Sequence, residues 1–161
     1  VVGAHPNNQI GEDHRPESHL LPIIIQKALG QREKLVVFGD DYPTKDGTCI
    51  RDYVHVLDLI DAHILAFNYL VEGKASTVFN LGSSEGFSVL ELIKAVEKVS
   101  GEQIEYIVES RRAGDPAVLV ASNKKAKEIL GWDPKYKQVE SIIETAWTWH
   151  KTHPEGYGLK A

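Results

Sequence analysis

The sequence predicts an α/β fold in which a small sheet is carried by several helices. Short apolar runs, each closed by glycine or a polar turn, alternate with longer segments whose apolar residues recur every three or four positions. The helical segments outnumber the strand-like ones, as a small sheet would require. The strand-like runs are also too few and too short for the regular βα units of a complete doubly wound domain.

Val1, Val2, Gly3 and Ala4 read as the tail of a strand, and with valine rather than methionine first they suggest a piece of a longer chain. Residues 5–17 hold two prolines, an Asn-Asn pair and a glycine, and read as an irregular extended loop. A helix is expected over 20–29, where Leu21, Ile24, Ile25 and Ala28 keep the helical period. Pro22 falls in its first turn, where a missing N–H costs nothing, and Gly30 lies just beyond its end. The run 35–38, closed by Gly39, is a short buried strand. Asp40, Asp41, Pro43, Asp46 and Gly47 then form a turn-rich loop.

The chain becomes apolar again at Ile50, and Arg51-Asp52-Tyr53 leads into the clearest helix, 56–71. Its expected inner stripe is Val56, Leu59, Ile60, His63, Phe67, Leu70 and Val71. A strand at 78–81 and a small-residue loop at 82–86 follow. Ser88 and Glu91 form a capping box for a helix that buries Val89, Leu92, Ile93 and Val96 and stops at Gly101. Residues 104–108 alternate as a strand, 110–116 form a loop bearing Arg111, Arg112 and Asp115, and 118–121 is another apolar run. Ser122 is expected to cap a helix over 123–130, with Gly131 at its end. The last helix, 139–150, has Val139, Ile142, Ile143, Ala146 and Trp147 inside. Residues 1–161 read as a single domain, with 154–161 as a loose tail.

Composition narrows the function classes. At 161 residues, with 42% hydrophobic and 25% charged residues, the chain is an ordinary globular one. A net charge of −5 argues against nucleic-acid binding, which needs a basic footprint. No run approaches the length of a membrane span, and the first residues lack the basic start and apolar centre of a signal peptide. Cys49 is the single cysteine, so no internal disulfide forms, and a cytoplasmic location is expected.

Chemistry concentrates in three loops, those feeding Arg51, spanning 82–86 and spanning 111–115. Two arginines delivered from separate loops suit a diphosphate through charge-assisted hydrogen bonds, and Phe38 at a strand end suits a flat ring. A plain alternative stands beside this: Arg51 and Asp52 as an ion pair stitching loop to helix, and Phe38 as core. The 82–86 loop, Gly-Ser-Ser-Glu-Gly, is at best a loose phosphate cradle and reads more simply as a helix-entry turn. His150 and His153 lack a third metal ligand nearby in sequence, His63 reads as a core histidine, and no metal site is expected. No G-x-G-x-x-G motif occurs, and no tyrosine is followed four residues later by lysine.

The segments GAHP (3–6), IGED (10–13), HLLP (19–22), VVFGDDYPTKDGTCIRDYVHVLDL (36–59), FNLGSSEGFSVLELI (79–93), RRAGDP (111–116) and TWHKTHPEGY (148–157) run in order over essentially the whole chain. Together they resemble the C-terminal part of the UDP-glucose 4-epimerases, which belong to the extended short-chain dehydrogenase/reductase superfamily. The resemblance implies the C-terminal substrate-binding portion of a Rossmann-type, NAD-dependent epimerase, without the dinucleotide-binding half. That family interconverts UDP-galactose and UDP-glucose by NAD-mediated oxidation and reduction at C4. Its N-terminal half carries the NAD and the catalytic Tyr-x-x-x-Lys pair, so this chain by itself is expected to hold no NAD, no catalytic residue and no activity.

The resemblance also places the substrate residues. His19 and Leu20 would contact the nucleotide, where the family commonly has asparagine and leucine. Val36, Val37 and Phe38 would line the uracil site, Arg51 and Arg112 would bind the diphosphate, and Asp115 would bond the uridine ribose. Leu119 stands where some members have tyrosine, so the contact of that hydroxyl is lost. The expected partners are UDP-glucose, UDP-galactose or UDP, and an N-terminal Rossmann half if present as a separate piece. A related nucleotide-sugar epimerase, or a non-catalytic nucleotide-sugar-binding module, are the alternative readings.

Overall fold

A computed structural model of the chain describes residues 1–158. Five helices surround two small groups of strands, in the order α1 (Leu20–Ala28), β1 (Val36–Phe38), β2 (Ile50–Arg51), α2 (Val56–Val71), β3 (Phe87–Ser88), α3 (Val89–Ser100), β4 (Ile107–Glu109), β5 (Val118–Leu119), α4 (Lys124–Leu130) and α5 (Val139–Thr152). The helices form where the period is strongest. α3 begins in the expected capping box: Ser88 Oγ accepts from Glu91 N at 3.1 Å while the Glu91 carboxylate accepts from Ser88 N at 2.9 Å. Gly101 ends it in the left-handed region that only glycine enters at no steric cost.

β1 pairs with β4 in parallel, matching Val36 with Ile107 and Phe38 with Glu109. β2 lies between β3, antiparallel, and β5, parallel, matching Arg51 with both Phe87 and Leu119. Val2 is tied beside His55 by an isolated parallel bridge, the outcome of the expected strand tail. The main core is closed by α1, α3 and α5 over β1, with Leu21, Ile24, Ile25, Val37, Leu92, Val96, Ile142 and Ile143 buried. A smaller core gathers Ala62 of α2, Ala126 of α4 and Trp132.

Several expectations need correction. The 78–81 run forms no strand: no partner strand reaches it among the described residues, and Val78 is exposed. Asn123, not Ser122, occupies the N-cap of α4, without a side-chain cap bond. On α5 it is Trp149 that is fully buried, its Nε1 donating to Glu12 O at 2.8 Å, while Trp147 only borders the core. Most of the α2 stripe faces outward: Ile60, Phe67, Leu70 and Val71 are exposed, Phe67 at 66%. The face that α2 turns inward carries Asp58 and Ala62 instead. His63 is therefore no core histidine; it is exposed and caps its own turn against Leu59 O at 2.8 Å. In the segment expected to be loose, Tyr157 N donates to Asp13 Oδ2 at 3.1 Å and the Tyr157 hydroxyl donates to Gly11 O at 3.0 Å. The rest of that tail, 159–161, lies outside the described residues.

Candidate functional site

Strand pairing assembles the site. Because β1 and β4 run parallel and in register at Phe38 and Glu109, the 110–116 loop leaves the sheet beside Phe38. Because β5 pairs with β2, the far end of the same loop returns beside Arg51, where Ile50 N donates to Ala117 O at 2.8 Å. One loop thus spans from the aromatic ring to the strand arginine.

Two guanidinium groups converge on one carboxylate within it. Arg51 Nη2 donates to Asp115 Oδ1 at 3.2 Å, and Arg112 Nε lies 4.0 Å from Asp115 Oδ2. Arg51 is held in place by Nη1, which donates to Ile50 O at 2.8 Å and Pro116 O at 2.9 Å. The Arg112 guanidinium stands 4.2 Å above the Phe38 ring, a cation–π arrangement, and its side chain is 63% exposed. The cluster carries two positive charges against one negative, with Arg112 open to solvent, and so can accept an anion.

The adjacent Arg111 is engaged elsewhere. Its Nε donates to Asp41 Oδ1 at 2.6 Å, its Nη2 donates to Asp41 O, and its guanidinium lies 4.2 Å over Tyr42. The hydrogen bond from Arg111 holds the Asp41 carboxyl below its ordinary range. Nothing local in an Arg-Arg doublet says which member is committed; the reach of each from β4 decides it.

β1 offers the flat-ring side of the site in an alternating way. Val37 is buried in the core, while Val36 and Phe38 are half-buried on the opposite face. Ile107 N donates to Leu35 O at 2.9 Å and Gly39 N to Glu109 O at 2.8 Å, so the backbone groups of Leu35 and Gly39 point to β4. By the alternation of a parallel ladder those of Val36 and Phe38 point to the other edge, where no strand pairs among the described residues.

His19 and Leu20 are not brought into this cluster by any described contact. His19 is the N-cap of α1, and its ring is turned onto Glu17 and Glu12. Leu20 packs against the main core.

The alternative Arg51–Asp52 ion pair does not form, Arg51 pairing with Asp115. Asp52 instead buckles two loops, accepting from Ser83 N at 2.7 Å, Ser83 Oγ at 2.6 Å and Ala121 N at 2.8 Å. A Cβ at Gly82 would come within 2.2 Å of Asp52 Oδ2, so the glycine there admits the buckle rather than a ligand. The helix start behind this loop is filled by Ser88 and Glu91, which leaves no phosphate cradle. No glycine-rich strand-to-helix turn of the dinucleotide-binding kind occurs in the chain, so its residues do not fit an NAD pyrophosphate. Tyr53 is no candidate base, because burial pushes its phenol upward.

Known proteins resemble the chain over most of its length. The family model described as GDP-mannose 4,6 dehydratase matches residues 4–145. The chain is 58% identical over 158 residues to the UDP-glucose 4-epimerase of Lacticaseibacillus casei, covering 98% of this chain and 48% of that protein. A crystal structure of UDP-glucose 4-epimerase superposes with a TM-score of 0.94 at 59% identity, over 97% of this chain and 47% of that one. A crystal structure of the Bifidobacterium longum UDP-glucose 4-epimerase in complex with NAD+ and UDP superposes with a TM-score of 0.88 at 37% identity, over 96% of this chain and 46% of that one. The chain therefore spans about half the length of the relatives it matches.

Proposed function

The chain belongs to the GDP-mannose 4,6-dehydratase family, and from that premise we propose that it is the UDP-sugar-binding portion of a UDP-glucose 4-epimerase. The whole enzyme interconverts UDP-galactose and UDP-glucose through NAD-mediated oxidation and reduction at C4. The observation that carries this reading is the convergence of Arg51 and Arg112 on one anionic point beside Phe38. A diphosphate entering there replaces Asp115 as the partner of both guanidinium groups, each bond being charge-assisted. Asp115, so released, accepts from a ribose hydroxyl. Phe38 lies against the uracil, and the outward backbone groups of Val36 and Phe38 bond its edge. Val37 takes part only through its strand position, its side chain being core. Leu20 and His19 approach the nucleotide from the start of α1, His19 by the Nε2 edge of its ring, since its Nδ1 is turned onto Glu17 and Glu12.

The hydride acceptor and the proton-transfer groups come from a Rossmann half outside this chain, and turnover requires both parts. Support for such a partner is the outward stripe of α2 together with an apolar cleft of about 490 Å³ formed by Val2, Ala4, Ile10, Val56, Leu57 and Ile60. An exposed apolar face of this kind is expected where another unit packs.

Calorimetric titration with UDP tests the reading. The chain binds UDP, and Arg51→Ala or Arg112→Ala weakens binding at least tenfold, or about 1.4 kcal/mol. A folded chain, judged by circular dichroism, that binds no UDP even when supplied with the Rossmann half refutes the site assignment.

A further inference from the structure

We propose that the loop preceding α1 is a binding site for a divalent transition-metal ion of the zinc class, held by His14, Glu17 and His19 with Glu12 as the nearest further donor. From spacing alone no metal site is expected, because His150 and His153 lack a third ligand nearby in sequence. The structure turns His153 away, its Nδ1 on Thr152 Oγ1 and Trp149 O and its ring stacked 3.9 Å from Trp149. Instead it gathers one ligand atom each from His14, Glu17 and His19 within 4.8 Å of one another.

The separations suit a small cation. His19 Nδ1 lies 2.9 Å from Glu17 Oε1 and 3.3 Å from Glu12 Oε1, and His14 Nδ1 lies 3.5 Å from Glu17 Oε1. Ligands at zinc distances of about 2.0–2.1 Å in a tetrahedron stand roughly 3.3–3.4 Å apart. The three carboxylate–imidazole separations bracket that value, so small side-chain movements would seat an ion. Two imidazole nitrogens with carboxylate oxygen select a zinc-type ion over calcium or magnesium, which prefer oxygen alone.

Burial supplies a second, independent reason. The Glu17 side chain is only 4% exposed, yet its ion-pair partners are His14 and His19, which carry charge only when protonated. No lysine or arginine side chain pairs with its carboxylate among the described residues; Arg32 reaches only its backbone oxygen, at 3.0 Å. Buried carboxylates are ordinarily paired with a cation or coordinate a metal. The carboxylate is already oriented, since Oε1 accepts from Ser18 N and His19 N, each at 2.8 Å. The loop is anchored on both sides, with Arg15 Nη2 donating to Glu155 O at 2.6 Å and Tyr157 N donating to Asp13 Oδ2 at 3.1 Å. The donor set is thus pre-positioned for an ion.

Titration of the metal-free, untagged chain with Co²⁺, followed by its visible d–d absorption and by competition with Zn²⁺, tests this. The expected result is one ion per chain with the intense spectrum of a low-coordinate nitrogen–oxygen site. Zn²⁺ displaces it, and affinity falls at least tenfold in His14→Ala and in His19→Ala. His63→Ala, at an exposed histidine on α2, serves as the control and leaves affinity unchanged. Substoichiometric binding with the weak spectrum of hydrated Co²⁺ would overturn the proposal. So would affinity that neither His14→Ala nor His19→Ala lowers, or that His63→Ala lowers as much. His14 is substantially exposed, so His14→Ala retains the fold, which circular dichroism verifies.

Discussion

Removal of the Asp58 carboxylate is expected to cost more stability than any other single polar change in the smaller core. Asp58 is 1% exposed in the first turn of α2. Its Oδ1 accepts from Lys135 N at 2.8 Å and its Oδ2 from Tyr136 N at 3.0 Å, docking the segment between α4 and α5. A hydrogen bond to a charged group contributes about 1.5–3 kcal/mol net, so the two together contribute roughly 3–6 kcal/mol. Asp58→Ala also loses about 0.5 kcal/mol of favourable charge at a helix N-terminus and regains about as much in helix propensity. The neighbouring bond from Trp132 Nε1 to Asp58 O, at 2.8 Å, is a backbone contact and survives. We expect Asp58→Ala to cost about 3–4 kcal/mol and Asp58→Asn, which keeps one acceptor, about 2 kcal/mol. At about 2–4 °C per kcal/mol for a chain of this size, the alanine variant melts roughly 6–16 °C lower. Urea unfolding followed by fluorescence and circular dichroism measures both. If each variant loses less than about 1 kcal/mol, the carboxylate is not the clamp described and the reasoning fails.

Two further outcomes follow from the same physical reading. Burial pushes the pKa of His55 below its ordinary value, against a smaller opposing pull from Asp58. Its Nδ1 accepts from Leu57 N at 3.1 Å, leaving the proton on Nε2 for Thr145 Oγ1 at 3.0 Å, so protonation at Nδ1 would set two donors face to face. The unfolded state then binds the extra proton more readily, and stability falls as pH drops from 7 to 5, through the unfolded value near 6.5. His55→Asn, which keeps an N-cap side chain, should show a flatter profile in urea midpoints. Part of the slope remains, since burial also lowers His150. A wild-type midpoint that does not change over that range would refute the argument. Separately, Phe67→Glu on the outward face of α2 should weaken association with a Rossmann half, or between copies of this chain, by about tenfold, the worth of roughly 1–2 kcal/mol of apolar burial. Sedimentation equilibrium that gives the same association for variant and parent would show that this face stays in solvent.

The sequence by itself determined what rests on neighbours within a few positions. The period of Leu21, Ile24 and Ile25, the Ser88–Glu91 box and the glycines at 30, 101 and 131 set the helices, because their causes lie within a turn or two. Motifs along the chain also marked Arg51, Arg112 and Asp115, and the tertiary structure brings the two guanidinium groups onto the Asp115 carboxylate. Tertiary structure decided the rest. Asp52 clasps residues 31 and 69 positions away, and His55 meets Thr145 across 90, partners that no local pattern names. The alternation that hides Val37 and turns Val36 and Phe38 outward depends on which strand lies alongside. The stripe of α2 is the plainest case. Periodicity correctly gave a helix with one apolar face, but burial is a property of what packs against that face, and within residues 1–158 α2 leaves it outward. Likewise the spacing of His14, Glu17 and His19 does not say that the loop turns one donor atom of each to within 4.8 Å of the others. Local spacing fixes the conformation of a segment, whereas contact, burial and charge pairing depend on distance in space, which only the folded chain defines.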